Sequence, residues 1–140
     1  MTLKAYTIED VIGEVGVAAV PGEKLTVLVG ETVRVRLSVD YRGPAIDGAI
    51  WTAIGRQNAW FNEDFSSRTP VHFNDSIDFV RYDFIAEVLI GDRPGTDYDM
   101  YAKIMEVPGP DIFTPTYLNI IDVMGAAEFR NFEITSYEKV

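Results

Sequence analysis

The chain has 140 residues, no cysteine and a net charge of −10 from 22 acidic and 12 basic side chains. That length suits one domain with a core large enough to stand without cross-links, and the missing thiols exclude disulfides and Cys-based zinc sites. The negative field argues against nucleic acid as a partner, because the nearest basic pair, Arg34 and Arg36, has no stacking aromatics interleaved with it.

No stretch approaches the roughly 18 consecutive apolar residues of a membrane span, and Met1-Thr2-Leu3-Lys4 does not start a secretory signal. From the amino end, Tyr6 to Ile12 reads as extended, because Gly13 and Gly16 leave a helix there at most two turns. Leu25 to Val29 is a short strand closed by a Gly30-Glu31 turn. Thr32 to Tyr41 carries the clearest signal in the chain. Val33, Val35, Leu37, Val39 and Tyr41 alternate with Arg34, Arg36, Ser38 and Asp40, the period-two pattern of a strand with one wet face.

Arg42-Gly43-Pro44 breaks that run, and Gly48 to Gly55 is the next strand. Its inward face is ambiguous, since Ala49, Trp51 and Ala53 compete with Ile50, Thr52 and Ile54. Gln57 to Thr69 reads as an irregular loop rich in Asn, Ser and aromatic residues, with Val71 to Phe73 a short edge strand and Pro70 just outside it. Phe79 to Ile90 is a long strand with Tyr82, Phe84, Ala86, Val88 and Ile90 on one face. Gly91 to Gly95 is a turn by composition, and Tyr98 to Val107 follows as a strand ended by Pro108-Gly109-Pro110. Tyr117 to Val123 and Phe129 to Tyr137 complete the series, separated by Gly125-Ala126-Ala127.

About seven to nine strands with turns at these spacings make an all-β, antiparallel sandwich. The expected unit is one domain over 1–140, with its core in 25–123. Segments 1–24 and 126–140 are expected to be extended, packed on the core or pairing with neighbours. No internal repeat is present beyond a weak echo of Tyr6-Thr7-Ile8 in Phe132-Glu133-Ile134.

Four residues in order, Leu37, Trp51, Tyr98 and Met100, resemble the core constellation of immunoglobulin-like sandwiches. The run Pro94-Gly95-Thr96-Asp97-Tyr98-Asp99-Met100-Tyr101-Ala102-Lys103 is similar to a turn and strand late in immunoglobulin-like and fibronectin type III-like modules of microbial surface and virion proteins. The resemblance covers roughly residues 25 to 123. It implies that Leu37 and Met100 stand where antibody domains carry bridging cysteines, that Trp51 lies in the core, and that the Tyr98 hydroxyl bonds back to backbone. It also favours an extracellular, cell-surface or virion-associated setting over the cytoplasm, and it carries no functional residues with it.

The candidate chemistry is sparse. His72, the only histidine, has no nucleophile elbow around Ser66, Ser67 or Ser76, and so reads as a strand residue. Glu63 with Asp64, or Asp97 with Asp99, are the carboxylate pairs to consider for glycoside hydrolysis, but 22 acidic residues produce such pairs by composition alone. No enzyme activity and no cofactor are expected. Calcium is the single metal to consider, through Asp92, Asp97 and Asp99 or through Asn62, Glu63 and Asp64, although neither cluster has EF-hand spacing.

Two features point to binding. Trp60, Phe61 and Phe65 sit among Asn58, Asn62, Glu63 and Asp64; such rings either stack on a sugar or protein partner or tuck onto the edge of the sandwich. Trp60, Phe61, Asn62 and Phe65 are therefore the candidate ligand site. Ile85 and Leu89 on one strand, and Tyr101 and Met105 on another, would form an apolar patch on the wet face if those strands were neighbours, and monomers rarely leave such patches bare. The expected function is a non-catalytic structural or protein-interaction module of a surface, appendage or virion assembly, self-associating or bound to another protein. The alternative is a carbohydrate-binding module built on the Trp60 loop.

Overall fold

Alternation sets the layers. The computed structural model describes residues 8–10, 18–19 and 22–140, the first two segments by their backbone pairing. The strands are β1 (Ile8–Asp10), β2 (Ala18–Ala19), β3 (Leu25–Leu28), β4 (Thr32–Gly43), β5 (Ile46–Gln57), β6 (Phe61–Phe73), β7 (Ser76–Leu89), β8 (Gly95–Met105), β9 (Ile112–Phe113) and β10 (Tyr117–Met124). Eight of these ten are longer than two residues, and no helix occurs among the described residues. The protein is all-β. Of the expected extended segment Tyr6 to Ile12, residues 8–10 form β1 and the remainder lies outside the described residues.

The strands make two sheets. One has the order β2-β1-β4-β7; the other has the order β3-β10-β8-β5-β6, with β9 also on β8. Val33, Val35, Leu37, Val39 and Tyr41 of β4 are all buried, as their alternation predicts, and pair with Val88, Ala86, Phe84, Tyr82 and Val80 of β7. From the other sheet, Ile50 and Ile54 of β5 and Met100, Ala102 and Ile104 of β8 join the same core cluster. Short connections carry the chain between the two layers at Pro44-Ala45 and at Asn74-Asp75. The pairing is antiparallel except at one edge, where β3 runs parallel to β10 with Leu25 opposite Ile121.

Three expectations change. The expected loop from 57 to 69 is mostly strand: β6 pairs with β5 from Phe61 to Phe73. Its Ser and Asn content reflects an edge position, since β6 ends its sheet, and an edge tolerates Pro70 inside the strand because one side of the ladder needs no donor. The expected strand from Phe129 to Tyr137 is absent. Residues 125–140 pair with no strand, and Asn131 adopts φ +53. Alternating local propensity makes a strand only where a neighbour supplies hydrogen bonds. Trp51, finally, shares the outward face of β5 with Ala49 and Ala53, outside the core cluster formed by Ile50 and Ile54, and its Nε1 donates to Glu63 Oε1 at 2.6 Å. It does not meet Leu37 and Met100 across the core. The Tyr98 hydroxyl does bond back to backbone, donating to the Arg93 carbonyl at 2.6 Å.

Candidate binding surfaces

The outer face of the larger sheet carries a row of rings. Register places Tyr101 of β8 opposite Ala53 of β5, and Lys103 between Trp51 and Phe113 of β9. Small residues on β5 leave the space that the rings occupy. Phe61 meets Tyr101 edge-on with centroids 4.7 Å apart, and Tyr101 stacks near Phe113 at 6.0 Å. Lys103 Nζ lies 5.7 Å from the Phe113 ring centroid and 3.4 Å from Asp111 Oδ2. Together Gln57, Phe61, Tyr101, Phe113, Thr114 and Thr116 line a shallow groove of about 260 Å³.

Two polar anchors hold this face. Thr114, buried beside the groove, uses its hydroxyl internally: it accepts from the Ala102 amide at 2.9 Å and donates to the Pro115 carbonyl at 2.8 Å. That bridge spans the gap between β9 and β10 along the same side of β8. At the far end Arg68 holds Glu106 through two bonds of 2.9 and 2.7 Å, which lower the Glu106 pKa and raise that of Arg68. Burial raises the Tyr101 pKa, so its hydroxyl remains a hydrogen-bond donor at neutral pH.

The four candidate ligand residues separate. Trp60 stands at the tip of the β5–β6 hairpin, 70% exposed, with its Nε1 donating to Asn62 Oδ1 at 3.0 Å. Phe61 joins the ring row. Phe65 is buried at 6% exposure and packs on Tyr98 with centroids 5.6 Å apart, so it belongs to the core. The cause is a register shift between Ile54 and Gly55, where Asp64 is the extra residue and Phe65 turns to the opposite face from Glu63. Tyr101 and Phe113, their partners in the row, lie far away in sequence; only strand register brings them together.

The supposed apolar patch also divides. Ile85 and Leu89 are exposed on β7 in the smaller sheet, whereas Tyr101 and Met105 are on β8 in the larger one. The strands β7 and β8 do not pair, so these four residues form no single surface.

Most of the remaining candidates are engaged within the chain. Asp99 is buried and accepts the Gln57 and Asn119 amides, each at 2.8 Å. Asp97 accepts from Lys24, while its own amide donates to Asp122 Oδ1 at 2.9 Å; the hydrogen bond to Asp97 is the main cause of a raised Lys24 pKa. Asp92 stands apart on the wall of a cleft with Leu28, Val29 and Met124. Among the described residues no three His, Asp or Glu side chains group to hold a metal ion. Glu63 and Asp64 diverge, the first to Trp51 and the second to Arg93 at 2.8 Å. His72 Nδ1 lies 2.6 Å from Asp47 Oδ1 and its Nε2 lies 3.2 Å from Asn74 Oδ1.

A second surface lies after β10. Phe129, Phe132, Ile134, Tyr137 and Val140 are each at least 86% exposed. In the smaller sheet, β7 ends the order with β4 on one side and no strand on the other among the described residues.

No family model matches this chain, and no curated protein matches it. Among the described residues no helix is long and apolar enough to cross a membrane.

Proposed function

We propose that this chain is a non-catalytic interaction module of a larger assembly, and that the segment after β10 makes its contacts. The observation carrying this reading is the row of five large apolar side chains left in solvent between Phe129 and Val140. Burying each is worth ~1.5–3 kcal/mol, and side chains left this exposed on their own body gain that from a partner. Kinship with immunoglobulin-like modules draws support from the order β1-β4-β7 against β3-β10-β8-β5-β6 and from the bond of Tyr98 to the Arg93 carbonyl. The test is light scattering coupled to size exclusion over a wide concentration range. Association that weakens in a Phe132→Asp, Ile134→Asp variant is the expected result. A wild-type chain that stays at 15.7 kDa throughout defeats self-association through this segment.

A second reading rests on the ring row. Phe61, Tyr101 and Phe113 beside Trp60 offer the stacking faces by which β-sandwiches hold sugars, with Gln57 and Thr116 at the groove for hydroxyl contacts. Screening against a glycan array, with Tyr101→Ala and Phe113→Ala as controls, separates the two. Binding that both substitutions abolish supports the sugar reading, and no binding ends it.

A further inference from the structure

The two long edges of this sandwich are not equally protected. Natural sheet edges avoid strand addition by being short or by carrying Pro or Lys. β3 is a short edge, and β6 carries Pro70. β7 has neither device: from Ser76 to Leu89 it contains no Pro and no Lys.

Of the four charged residues on β7, Arg81, Asp83 and Glu87 are engaged with its one neighbour, and Asp78 is exposed. Glu87 lies 3.4 Å from Arg34, Arg81 lies 3.4 Å from Asp40, and Asp83 accepts the Ser38 hydroxyl at 2.6 Å, all across the β4 pairing. Between those charged side chains the outer face exposes Ile77, Phe79, Ile85 and Leu89. On the inner face Tyr82 and Phe84, beside the rim, are only partly buried. An extended strand laid along this edge finds apolar neighbours on both faces and, among the described residues, no strand already paired with its backbone.

The same chain carries a strand-like sequence that forms no strand of its own. Phe132-Glu133-Ile134-Thr135-Ser136-Tyr137 has the period and β-branched content of a strand, and no Gly or Pro follows Gly125 to interrupt it. Asn131, at φ +53, sets it off from Phe129. At ~3.3 Å per residue, the segment from Gly125 onward spans at most about 50 Å, enough to reach a neighbouring body.

We propose that residues 132–137 of one copy add as an extra strand to the open β7 edge of a second copy. This rests on the interaction-module reading above and names its partner. Because every copy has one donor segment and one acceptor edge, and the two surfaces differ, the contact is head-to-tail and extends into a filament or closes into a ring.

The experiment uses three proteins of 140 residues, each checked by circular dichroism for an unchanged β spectrum. They are the wild type, a donor variant with Phe132→Asp and Ile134→Asp, and an acceptor variant with Ile85→Lys and Leu89→Lys. All four positions are exposed, so the folded body is retained. Light scattering is expected to give wild-type masses rising with concentration in multiples of 15.7 kDa, and each variant alone at 15.7 kDa. An equimolar mixture of the variants should reach twice 15.7 kDa and stop there, since only one good donor and one good edge remain. Association lost in the donor variant but kept in the acceptor variant overturns the proposal while leaving the interaction-module reading intact. A monomeric wild type with amides 132–137 protected from hydrogen exchange overturns it in favour of docking on the chain's own edge. A monomer with those amides unprotected defeats both.

Discussion

Asp99 offers the sharpest test of how the larger sheet is held. Its carboxylate is 6% exposed and lies on β8 opposite Gly55. One oxygen accepts the Gln57 amide at the end of β5; the other accepts the Asn119 amide, where β10 leaves regular register with φ +56. The side chain thus clamps β8 to both neighbours at a point where the β5 ladder ends and the β10 ladder is irregular. Hydrogen bonds to a charged acceptor contribute ~1.5–3 kcal/mol each, and a buried amide left without a partner costs ~1–3 kcal/mol. Asp99→Ala removes both bonds, and water entering the vacated space offsets part of the loss, so a net destabilisation of about 3 kcal/mol is expected. For a chain of this size, that lowers Tm by about 6–12 °C. Asp99→Asn keeps one acceptor but turns an NH₂ toward the other amide, and should recover at most half of the loss. Urea unfolding is the assay, with the midpoint falling at constant slope. If Asp99→Ala unfolds within about 0.5 kcal/mol of wild type, the two amides do not depend on the carboxylate and the clamp is refuted.

Gly55→Ala should destabilise by about 2–3 kcal/mol or more in a thermal melt, because a Cβ there would sit 1.9 Å from the Asn62 carbonyl oxygen, and backbone cannot rotate away. Thr52→Val should stabilise by about 1 kcal/mol in denaturant titration, since the fully buried Thr52 hydroxyl has no hydrogen-bond partner among the described residues; a loss of stability would mean that it has one. The pairing of Glu106 with Arg68 holds the folded pKa of Glu106 below its unfolded value, so its stabilisation is complete above about pH 4.3 and disappears as acid protonates the carboxyl. Arg68→Ala should accordingly lower the urea midpoint at neutral pH and converge with wild type in acid; curves equally separated at both pH values would count against the pair.

Legibility in the sequence followed burial on one face. β4 has one wet face, and its alternation predicted every buried residue. β5 was ambiguous for a physical reason: Ala49 and Ala53 are fully buried on the outward face beneath neighbouring side chains, so both faces are apolar. β6 looked like a loop because an edge strand needs few apolar residues. The sequence treated Phe61 and Phe65 alike and could not tell the ring-row residue from the core one, since a one-residue bulge reverses side-chain direction without any mark in composition. Tyr101 and Phe113 were beyond reach for another reason, as pairing register decides which distant rings meet. The stretch from Phe129 to Tyr137 was read as a strand and forms none, because strand-like composition alone supplies no pairing partner.

The parallel edge of the larger sheet has a kinetic consequence. β3, residues 25–28, hydrogen-bonds to residues 121–124, so the ends of the described body must find each other before that sheet is complete. Closing so long a loop is entropically slow, and contacts of this separation retard folding. A ribosome-bound chain can assemble β4 through β8 while Leu25 and Val27 still face solvent. Those side chains are sealed only when the last strand emerges, which makes the nascent intermediate the species most exposed to misassembly.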